Sequence, residues 1–313
     1  MVNVVFEYGI IIHGGAGALK GSIELEKYSD GLRRAVLSGF GRLENGSALD
    51  AVVQAVYEME EAGVFNAGLG CCLTAEGKAE VDAGLMDGSN LAVGAVASLT
   101  NIRHPILAAR TIMEKTDHVL MVGEGAMRLL GLYGFKPDPE LVTEAKLRKL
   151  RELKDKWLSG NDKKMARNRE VMKALSQGTV GALAIDKNGN IAAAVSTGGY
   201  WLKLSGRVGD TPIAGAGFYA ENGVGGAVAT GIGEYAIRLT LCKRTVDLIR
   251  SGLSAKSAAE RAISEVSHTF GEGTMGIITI DHSGGYGYSY NTEGMGRAIM
   301  FRGLNEPLVG VFQ

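Results

Sequence analysis

The stretch Gly178-Thr179-Val180-Gly181 decides the fold of this chain of 313 residues. It follows a polar, charged segment, residues 137–177, and opens a short apolar run, Val180–Ile185. Asn188-Gly189 is then a hairpin turn signal that leads into a second apolar run, Ile191–Ser196. A threonine therefore begins a buried strand at the point where a connecting segment ends.

The position of Thr179 suggests chemistry as well as structure. If the chain were cut between Gly178 and Thr179, the threonine would carry both a hydroxyl nucleophile and a free α-amine. Such an amine has a pKa of about 7.7–8.0, which suits a general base at neutral pH. One residue would then supply the nucleophile and its base for covalent catalysis. The same pattern also fits an ordinary threonine at the start of a strand, so the rest of the sequence has to decide.

Composition and charge narrow the class of protein. The net charge of −1 gives no reason to expect a polyanionic partner. Residues 146–173 carry eleven Lys or Arg against four acidic residues, an excess of seven, and contain one aromatic residue, Trp157. We interpret this run as part of a solvated, partly helical linker rather than as a nucleic-acid surface.

Cysteine usage and hydropathy predict a cytoplasmic protein. Cys71, Cys72 and Cys242 are odd in number and two of them are adjacent, which favours neither a disulfide framework nor a metal site. The first eight residues do not read as a signal peptide, and no run of about 18 apolar residues occurs. We therefore expect neither secretion by that route nor a membrane partner.

Spaced motifs extend from one end of the chain to the other. In order they are Ile12-His13-Gly14-Gly15-Ala16-Gly17, Phe65-Asn66-Ala67-Gly68, Val81-Asp82-Ala83 with Met86-Asp87-Gly88, Ser196-Thr197-Gly198-Gly199, Gly206-Arg207-Val208-Gly209-Asp210-Thr211-Pro212, Gly215-Ala216-Gly217, Ala229-Thr230-Gly231-Ile232-Gly233-Glu234 and Asn291-Thr292-Glu293-Gly294-Met295. This series resembles the plant-type (type 2) L-asparaginase and isoaspartyl peptidase family of N-terminal nucleophile (Ntn) hydrolases. Several motifs in one order are far more specific than any single one.

The fold class predicted from the pattern is α+β. Strands, then helices, then strands, with connections too short for repeated βαβ crossovers, argue against a doubly wound sheet. The predicted strands are Val4–Ile12, running into a glycine loop at Gly14–Gly17, then Gly70–Thr74, Glu80–Asp82, Ala92–Leu99, and a hairpin of Gly276–Ile280 with Tyr286–Tyr290. The predicted helices are Ile23–Leu43, Ala48–Glu61 with Ser47 as N-cap, Pro105–Lys115, Gly123–Gly134, Gly233–Ser251 and Ala255–His268. The resemblance implies more: an αββα sandwich of two stacked antiparallel sheets between helical layers, the Ntn-hydrolase fold.

The resemblance also implies that the chain cuts itself. One Ntn-hydrolase domain, residues 1–313, would mature into an alpha subunit, 1–178, with a flexible linker at about 137–177, and a beta subunit, 179–313. The hydroxyl of Thr179 would attack the carbonyl of Gly178, and a glycine tolerates the strained backbone that such an attack needs.

Catalytic residues follow from the same motifs. Thr179 is implied as the nucleophile, and Thr197 as the threonine that hydrogen-bonds to it and tunes its proton. Thr230 and Gly231 match the oxyanion hole, a hydroxyl and a backbone N–H. One donor of that kind contributes about 2.7–4 kcal/mol of transition-state stabilisation.

Substrate-binding residues are implied in the neighbouring loops. Arg207 can grip an α-carboxylate with two parallel bonds, while Asp210 holds the α-ammonium on the same carbon. Gly231 belongs to this site too, Gly233 contacts the ammonium through its carbonyl, and Asn66 matches a family residue near the nucleophile. The ordinary alternative for Arg207 and Asp210 is a surface ion pair.

Other polar residues in the motifs are interpreted as structural. An N-terminal nucleophile needs no histidine, so we assign His13 no catalytic role, and we assign Asp82 and Asp87 none either. The loop Gly14–Gly17 would shape the precursor around the scissile bond. No cofactor for catalysis is implied. Alignment alone suggests a structural sodium ion bound by main-chain carbonyls of Met59, Glu60, Ala62, Phe65, Ala67 and Leu69.

The predicted function is an autoproteolytically activated amidohydrolase. It would convert β-aspartyl dipeptides and L-asparagine to L-aspartate, as a homodimer of αβ units. The alternatives are a glycosylasparaginase, a taspase-like threonine protease, and a homologue that binds small molecules and never matures. One departure from the family is Phe218, a large residue that could narrow the pocket.

Overall fold

Two stacked β-sheets form the centre of the molecule. The computed structural model describes residues 8–21, 23–159 and 178–312. The eight-stranded sheet has the order β12-β11-β1-β5-β6-β2-β3-β4, and the four-stranded sheet has the order β10-β9-β8-β7. The strands are β1 (Gly9–Gly17), β2 (Glu80–Asp87), β3 (Ala92–Thr100), β4 (Leu120–Val122), β5 (Val180–Ile185), β6 (Ile191–Thr197), β7 (Phe218–Glu221), β8 (Gly225–Gly231), β9 (Met275–Asp281), β10 (Tyr286–Tyr290), β11 (Gly294–Phe301) and β12 (Leu308–Gly310).

Helices lie outside the two sheets. In the described ranges they are α1 (Leu25–Arg42), α2 (Ala48–Glu61), α3 (Pro105–Lys115), α4 (Gly123–Leu132), α5 (Glu144–Ser159), α6 (Gly233–Leu239), α7 (Leu241–Arg250) and α8 (Ala255–Phe270). None of them is both long enough and apolar enough to cross a bilayer.

The apolar core has three layers, which shows how the sheets and helices stack. On β1, Ile10 and Ile12 pack against α1 and α2, while Ile11, between them, points to the opposite face. That second face packs against the small sheet through residues such as Val228 on β8. The neighbouring residue, Ala229, belongs to the third layer, which α7 and α8 cover. Side chains alternate in this way because a strand has a period of two.

The four layers are therefore helix, sheet, sheet and helix. Pairing is antiparallel throughout the described strands except between β3 and β4. The α+β class and the αββα sandwich of the Ntn-hydrolase fold are confirmed.

The N-terminus of α2 shows how closely local sequence determines local structure. The hydroxyl of Ser47 accepts a hydrogen bond from the backbone N–H of Asp50, and the carboxylate of Asp50 accepts one from the N–H of Ser47. This capping box satisfies N–H groups that the first helical turn leaves unpaired. The predicted N-cap is correct, and so are the bounds Ala48–Glu61 and Pro105–Lys115.

The glycine loop predicted at Gly14–Gly17 is wrong, because these residues continue β1. They pair with β11, and the register shifts between His13 and Gly15. The bulge arises there because a glycine at position 15, with φ of 120°, adopts a conformation that other residues rarely reach. Of the predicted strand Val4–Ile12, residues 4–7 lie outside the described ranges.

The strand predicted at Gly70–Thr74 is also wrong. Gly68–Gly70 forms a 3₁₀ turn, and residues 71–74 form no strand. Their backbone groups are taken locally: the N–H of Cys72 binds the side chain of Asn66, and the N–H of Thr74 binds the carbonyl of Lys78. These local bonds replace a strand ladder.

Other boundaries differ in length. The predicted strand Glu80–Asp82 extends to Asp87 as β2. The helix predicted at Gly233–Ser251 is two helices, because Thr240 takes a left-handed conformation with φ of 47° between α6 and α7. A single αL residue breaks the helical hydrogen-bond ladder.

The connector predicted at 137–177 is only partly solvated. It contains α5, and Leu141 and Leu150 are buried in the core beneath it. The ammonium of Lys146 donates to the carbonyls of Leu69 and Leu141 at 2.7 and 2.8 Å. This lysine side chain therefore lies against the protein rather than extending into solvent. The helical part of the prediction is confirmed, and residues 160–177 lie outside the described ranges.

Candidate active site

Thr179 lies at the open end of the β5–β6 hairpin. Val180 pairs with Ser196 in that ladder, so Thr179 and Thr197 stand opposite each other one step further along. Thr179 is 7% exposed and Thr197 is 3% exposed. The hydroxyl of Thr197 accepts a hydrogen bond from the N–H of Gly199 at 3.0 Å and keeps its own hydrogen for another acceptor.

The second sheet reaches the same point through the end of β8. The hydroxyl of Thr230 donates to the carbonyl of Thr179 at 3.4 Å and accepts from the N–H of Ala16 at 3.3 Å. Gly231 follows with φ of 137°, and a side chain there would overlap the carbonyl of Thr274. The two sheets thus meet where β5 begins, with three threonines close together.

Gly178 is packed too tightly for a side chain. A Cβ at this position would overlap the Cα of Gly15, and would lie 2.5 Å from the nitrogen of Ala16 and 2.7 Å from the hydroxyl of Thr230. The bulge of β1 therefore forms one wall around the Gly178–Thr179 peptide.

A cleft opens in front of Thr179. It is lined by Gly178, Thr179, Thr197, Gly199, Tyr200, Arg207, Gly209, Asp210, Thr211, Gly231, Ile232 and Gly233. Seven of the predicted site residues are among them, and Thr230 lies just behind. Positions from four separate motifs are thus brought together.

Arg207 enters the cleft with its guanidinium already held. Its Nε and Nη2 donate to the two carboxylate oxygens of Glu234 at 3.0 and 2.8 Å. Its Cζ lies 4.4 Å from the centre of the Tyr200 ring. Burial opposes ionisation of Glu234, but the hydrogen bonds from Arg207 hold the pKa of this carboxyl below its ordinary value.

Asp210 is a buried carboxyl facing the same cleft. It is 3% exposed, and its Oδ2 has no hydrogen-bond partner among the described residues. Burial raises its pKa to about 6, and the charge of Arg207 opposes this only in part. A buried carboxylate oxygen without a hydrogen-bond partner is suited to binding an ammonium group.

Asn66 lies behind the cleft rather than in it. Its side-chain amide donates to the carbonyl of Gly199, its side-chain oxygen accepts from Cys72, and its backbone carbonyl accepts from the N–H of Gly198 at 3.0 Å. These bonds fix the turn that follows Thr197. Phe218 is fully buried between the two sheets and does not line the cleft.

The remaining polar motif residues, His13, Asp82 and Asp87, do not line the cleft. His13 is fully buried beside Gly181, and burial lowers its pKa to about 3, so its imidazole is neutral at pH 7. Asp82 is buried and accepts from the N–H of Ser98, whereas Asp87 accepts from the N–H of Ser89 at the end of β2.

Main-chain carbonyls pack closely around Gly68 and Gly70, in the segment predicted to bind sodium. Those of Glu60 and Arg103 lie 2.5 and 2.7 Å from where a Cβ of Gly68 would be, and the Gly63 carbonyl lies 2.8 Å from the corresponding position at Gly70. Three of the predicted ligands already accept hydrogen bonds: the carbonyls of Phe65, Ala67 and Leu69. The described residues include no cluster of three or more His, Cys, Asp or Glu side chains arranged for a metal. Any cation here would therefore depend on main-chain oxygens.

The sequence matches a known protein family over almost its whole length. Residues 6–306 match the family described as asparaginase. The chain belongs to the asparaginase family. The plant-type L-asparaginase of Pyrococcus abyssi is 46% identical over 305 residues, covering 96% of this chain and 99% of the relative.

Two relatives carry a different name. The isoaspartyl peptidase of Escherichia coli is 41% identical over 312 residues, covering 97% of this chain and 96% of the relative. The isoaspartyl peptidase/L-asparaginase of Xenopus laevis is 39% identical over 295 residues, covering 93% and 91%. The family predicted from the spaced motifs is confirmed, and this member of the asparaginase family is a hydrolase.

Six residues of this asparaginase-family site were not predicted as functional. Five line the cleft, namely Gly199, Tyr200, Gly209, Thr211 and Ile232, and Glu234 binds Arg207 from the first turn of α6. Each lies in or next to a recognised motif, which was the available signal. Their contacts depend on how the loops fold, and no spacing rule gives that.

Proposed function

We propose that the chain is a self-cleaving amidohydrolase that hydrolyses β-aspartyl dipeptides and L-asparagine, with Thr179 as the nucleophile. The observation that carries the proposal is the placement of Thr179 beside Thr197 and Thr230, in one cleft with Arg207 and Asp210. The names of the three relatives, L-asparaginase and isoaspartyl peptidase, favour this activity over a glycosylasparaginase or a taspase-like protease.

The first reaction in this proposal is maturation. The hydroxyl oxygen of Thr179 attacks the carbonyl carbon of Gly178, the C–N bond breaks, and the nitrogen takes a proton to become the α-amine. Water then hydrolyses the resulting ester, which leaves a carboxylate on Gly178 and a free hydroxyl on Thr179. The products are the alpha subunit, 1–178, and the beta subunit, 179–313.

The second reaction is hydrolysis of the substrate amide. The free α-amine of Thr179 takes the hydroxyl proton as the oxygen attacks the side-chain carbonyl, and Thr197 donates a hydrogen bond to that oxygen. The tetrahedral oxyanion is stabilised by the hydroxyl of Thr230 and the N–H of Gly231. Ammonia or an amine leaves with the proton, and water then releases L-aspartate from the acyl-enzyme. The steps use groups of this chain, the substrate and one water molecule.

Recognition of the substrate rests on opposite charges in the cleft. Arg207 binds the α-carboxylate, and Asp210, with the carbonyl of Gly233, binds the α-ammonium. A Cβ at Gly233 would lie 2.7 Å from Oδ1 of Asp210, so Gly233 and the Asp210 carboxylate are neighbours. A small zwitterion matches this pair, whereas a long peptide has no α-carboxylate at the corresponding carbon.

The experiment that tests this proposal is the intact mass of the purified protein at neutral pH over several days, followed by assays of ammonia and aspartate release. We expect two fragments that divide between Gly178 and Thr179, with activity appearing as they form. A stable full-length mass without activity would favour the remaining alternative, a small-molecule-binding homologue that never matures.

A pH profile tests the role of Asp210. Because its pKa in the free enzyme is about 6, its charge, and with it the binding of the ammonium, is lost as the pH falls through 6. We expect the plot of log kcat/KM against pH to become steeper by one unit of slope below about pH 6. The corresponding acid-side fall of kcat should occur at lower pH, because a bound ammonium stabilises the charged form of the Asp210 carboxylate. Asp210→Asn should remove the acid-side fall; an unchanged profile in that variant would assign the titration to another group.

A structural sodium ion is proposed at the carbonyl-lined segment Met59–Leu69. A native-state ligand stabilises by about 2.7 kcal/mol at 100 times its Kd, which for a chain of this size raises Tm by several degrees. We expect the Tm to be about 3–8 °C higher in sodium chloride than in choline chloride of equal ionic strength. Equal values in the two salts would contradict the site.

Two further properties stay predictions. We expect a homodimer of αβ units, which light scattering would measure, and a cytoplasmic location, which fractionation of the source cells would test.

A further inference from the structure

The guanidinium of Arg207 has two edges that can each bind a carboxylate. One edge consists of Nε and Nη2, and the other of Nη1 and Nη2. Glu234 occupies the first edge with both of its oxygens, at 3.0 and 2.8 Å. The second edge therefore keeps donors for a further carboxylate while the ion pair stays intact.

Arg207 and its neighbour Gly209 both line the cleft. A Cβ at Gly209 would lie 2.8 Å from Nη1 and 3.2 Å from Cζ and Nη2. The absence of a side chain at Gly209 therefore lets the guanidinium lie against this residue in the cleft wall. The Cζ of Arg207 lies over the ring of Tyr200, 4.4 Å from the ring centre. This contact restrains the plane of the guanidinium, while Glu234 restrains its edge.

Holding the guanidinium has a thermodynamic consequence. A free arginine side chain samples many rotamers, and a ligand that captures one of them loses affinity in proportion to the freedom removed. Glu234 is the second residue of α6, and the Arg207 side chain is only 16% exposed. The ordering is therefore complete before a ligand arrives.

We propose that Glu234 is a positioning residue that directs the Nη1/Nη2 edge of Arg207 at the α-carboxylate of an aspartyl ligand, with Tyr200 fixing the plane. This inference deepens the proposed function and rests on it for the class of substrate. Glu234 does not touch the ligand; it acts through Arg207. Its predicted effect is confined to discrimination at the α-carboxylate.

The test compares ligands that differ only at that group. For binding, L-aspartate and its α-amide, L-isoasparagine, are titrated by calorimetry into the mature protein and into Glu234→Gln. For kinetics, L-asparagine and its α-amide, L-aspartic diamide, are the substrates. We expect Glu234→Gln to weaken L-aspartate binding and to raise the KM for L-asparagine, each about 10-fold, because one charge-assisted contact is misdirected. The values for the two α-amides and kcat should stay within about twofold.

A matched control is Glu221→Gln. Glu221 also pairs with an arginine, Arg250, but on a surface away from the cleft. We expect this variant to bind and to turn over both ligands of each pair as the unmodified protein does. The intact mass of both variants should first be measured, and we expect Glu234→Gln and Glu221→Gln to mature alike.

The outcomes separate this inference from the proposed function. Equal losses for both ligands of a pair in Glu234→Gln, or no loss for either, would overturn the positioning role while leaving hydrolysis established. A protein that binds L-aspartate in a Glu234-dependent way but hydrolyses nothing would retain the inference and overturn the function. Absence of both binding and turnover in the unmodified protein would overturn both.

Discussion

Thr179→Ala should give a full-length, folded chain that never divides and has no amidohydrolase activity. The substitution removes the only atom that attacks in both proposed reactions, the hydroxyl oxygen at position 179. Loss of a covalent nucleophile costs on the order of a million-fold in kcat in well-studied hydrolases. Intact mass after several days at neutral pH and an ammonia-release assay measure the two effects, and circular dichroism shows that the chain is folded.

Thr179→Ser is the matched variant, since it keeps a hydroxyl and lacks only the methyl group. We expect it to divide at the same bond and to retain measurable activity. Division of Thr179→Ala between residues 178 and 179 would exclude the hydroxyl as the attacking group. Activity in an undivided chain would exclude the α-amine as the base.

Arg207→Ala should mature normally and bind its substrate poorly. Truncating one partner of a buried, hydrogen-bonded charge pair typically costs about 2–5 kcal/mol, and every 1.4 kcal/mol is about tenfold. We therefore expect kcat/KM for L-asparagine to fall about 100-fold or more, mainly through KM. Steady-state kinetics on the fully divided protein, with its mass checked first, measure this.

Arg207→Lys tests whether geometry or charge matters. A lysine keeps the positive charge but not the two-edged fork that Glu234 and the substrate would share. We expect a loss between those of the unmodified protein and Arg207→Ala. If either substitution blocks division at Thr179, Arg207 belongs to the maturation machinery and its assignment to substrate binding is wrong.

Local signals in the sequence predicted the elements nearest the site. Asn188-Gly189 and the two apolar runs around it give the β5–β6 hairpin, and Ser47 with Asp50 gives the start of α2. These signals work because the turn and the cap are each completed within a few residues. The left-handed break at Thr240 has no such signal, since threonine rarely adopts that conformation and only the packing of α6 and α7 requires it.

The order of strands could not be predicted from periodicity. β1 is apolar on both faces because one face meets helices and the other meets the second sheet, and such a run reads alike for several folds. It pairs with β11, nearly 300 residues away in sequence, and no local pattern encodes that. The family resemblance supplied the sandwich.

Most of the candidate site was predicted from the family resemblance. A threonine after a glycine, or an arginine near an aspartate, fits an ordinary strand start or a surface ion pair when it stands alone. Glu234 was missed because its carboxylate has meaning only beside Arg207, 27 residues earlier in the chain. Asn66 was expected near the nucleophile, and its amide binds the turn that follows Thr197.

The strand order of the large sheet has a consequence for the lifetime of the divided protein. β1 comes from the first fragment but is hydrogen-bonded on both sides to strands of the second, β11 and β5. In a molecule cut at Thr179, a strand of the first fragment thus lies between two strands of the second, and the fragments cannot separate without breaking the sheet. Melting would turn a unimolecular equilibrium into a bimolecular one, so recovery from heat would depend on protein concentration after the cut and not before it. After maturation, refolding would therefore require two separate fragments to meet, so the divided enzyme would regain its fold less readily than the precursor.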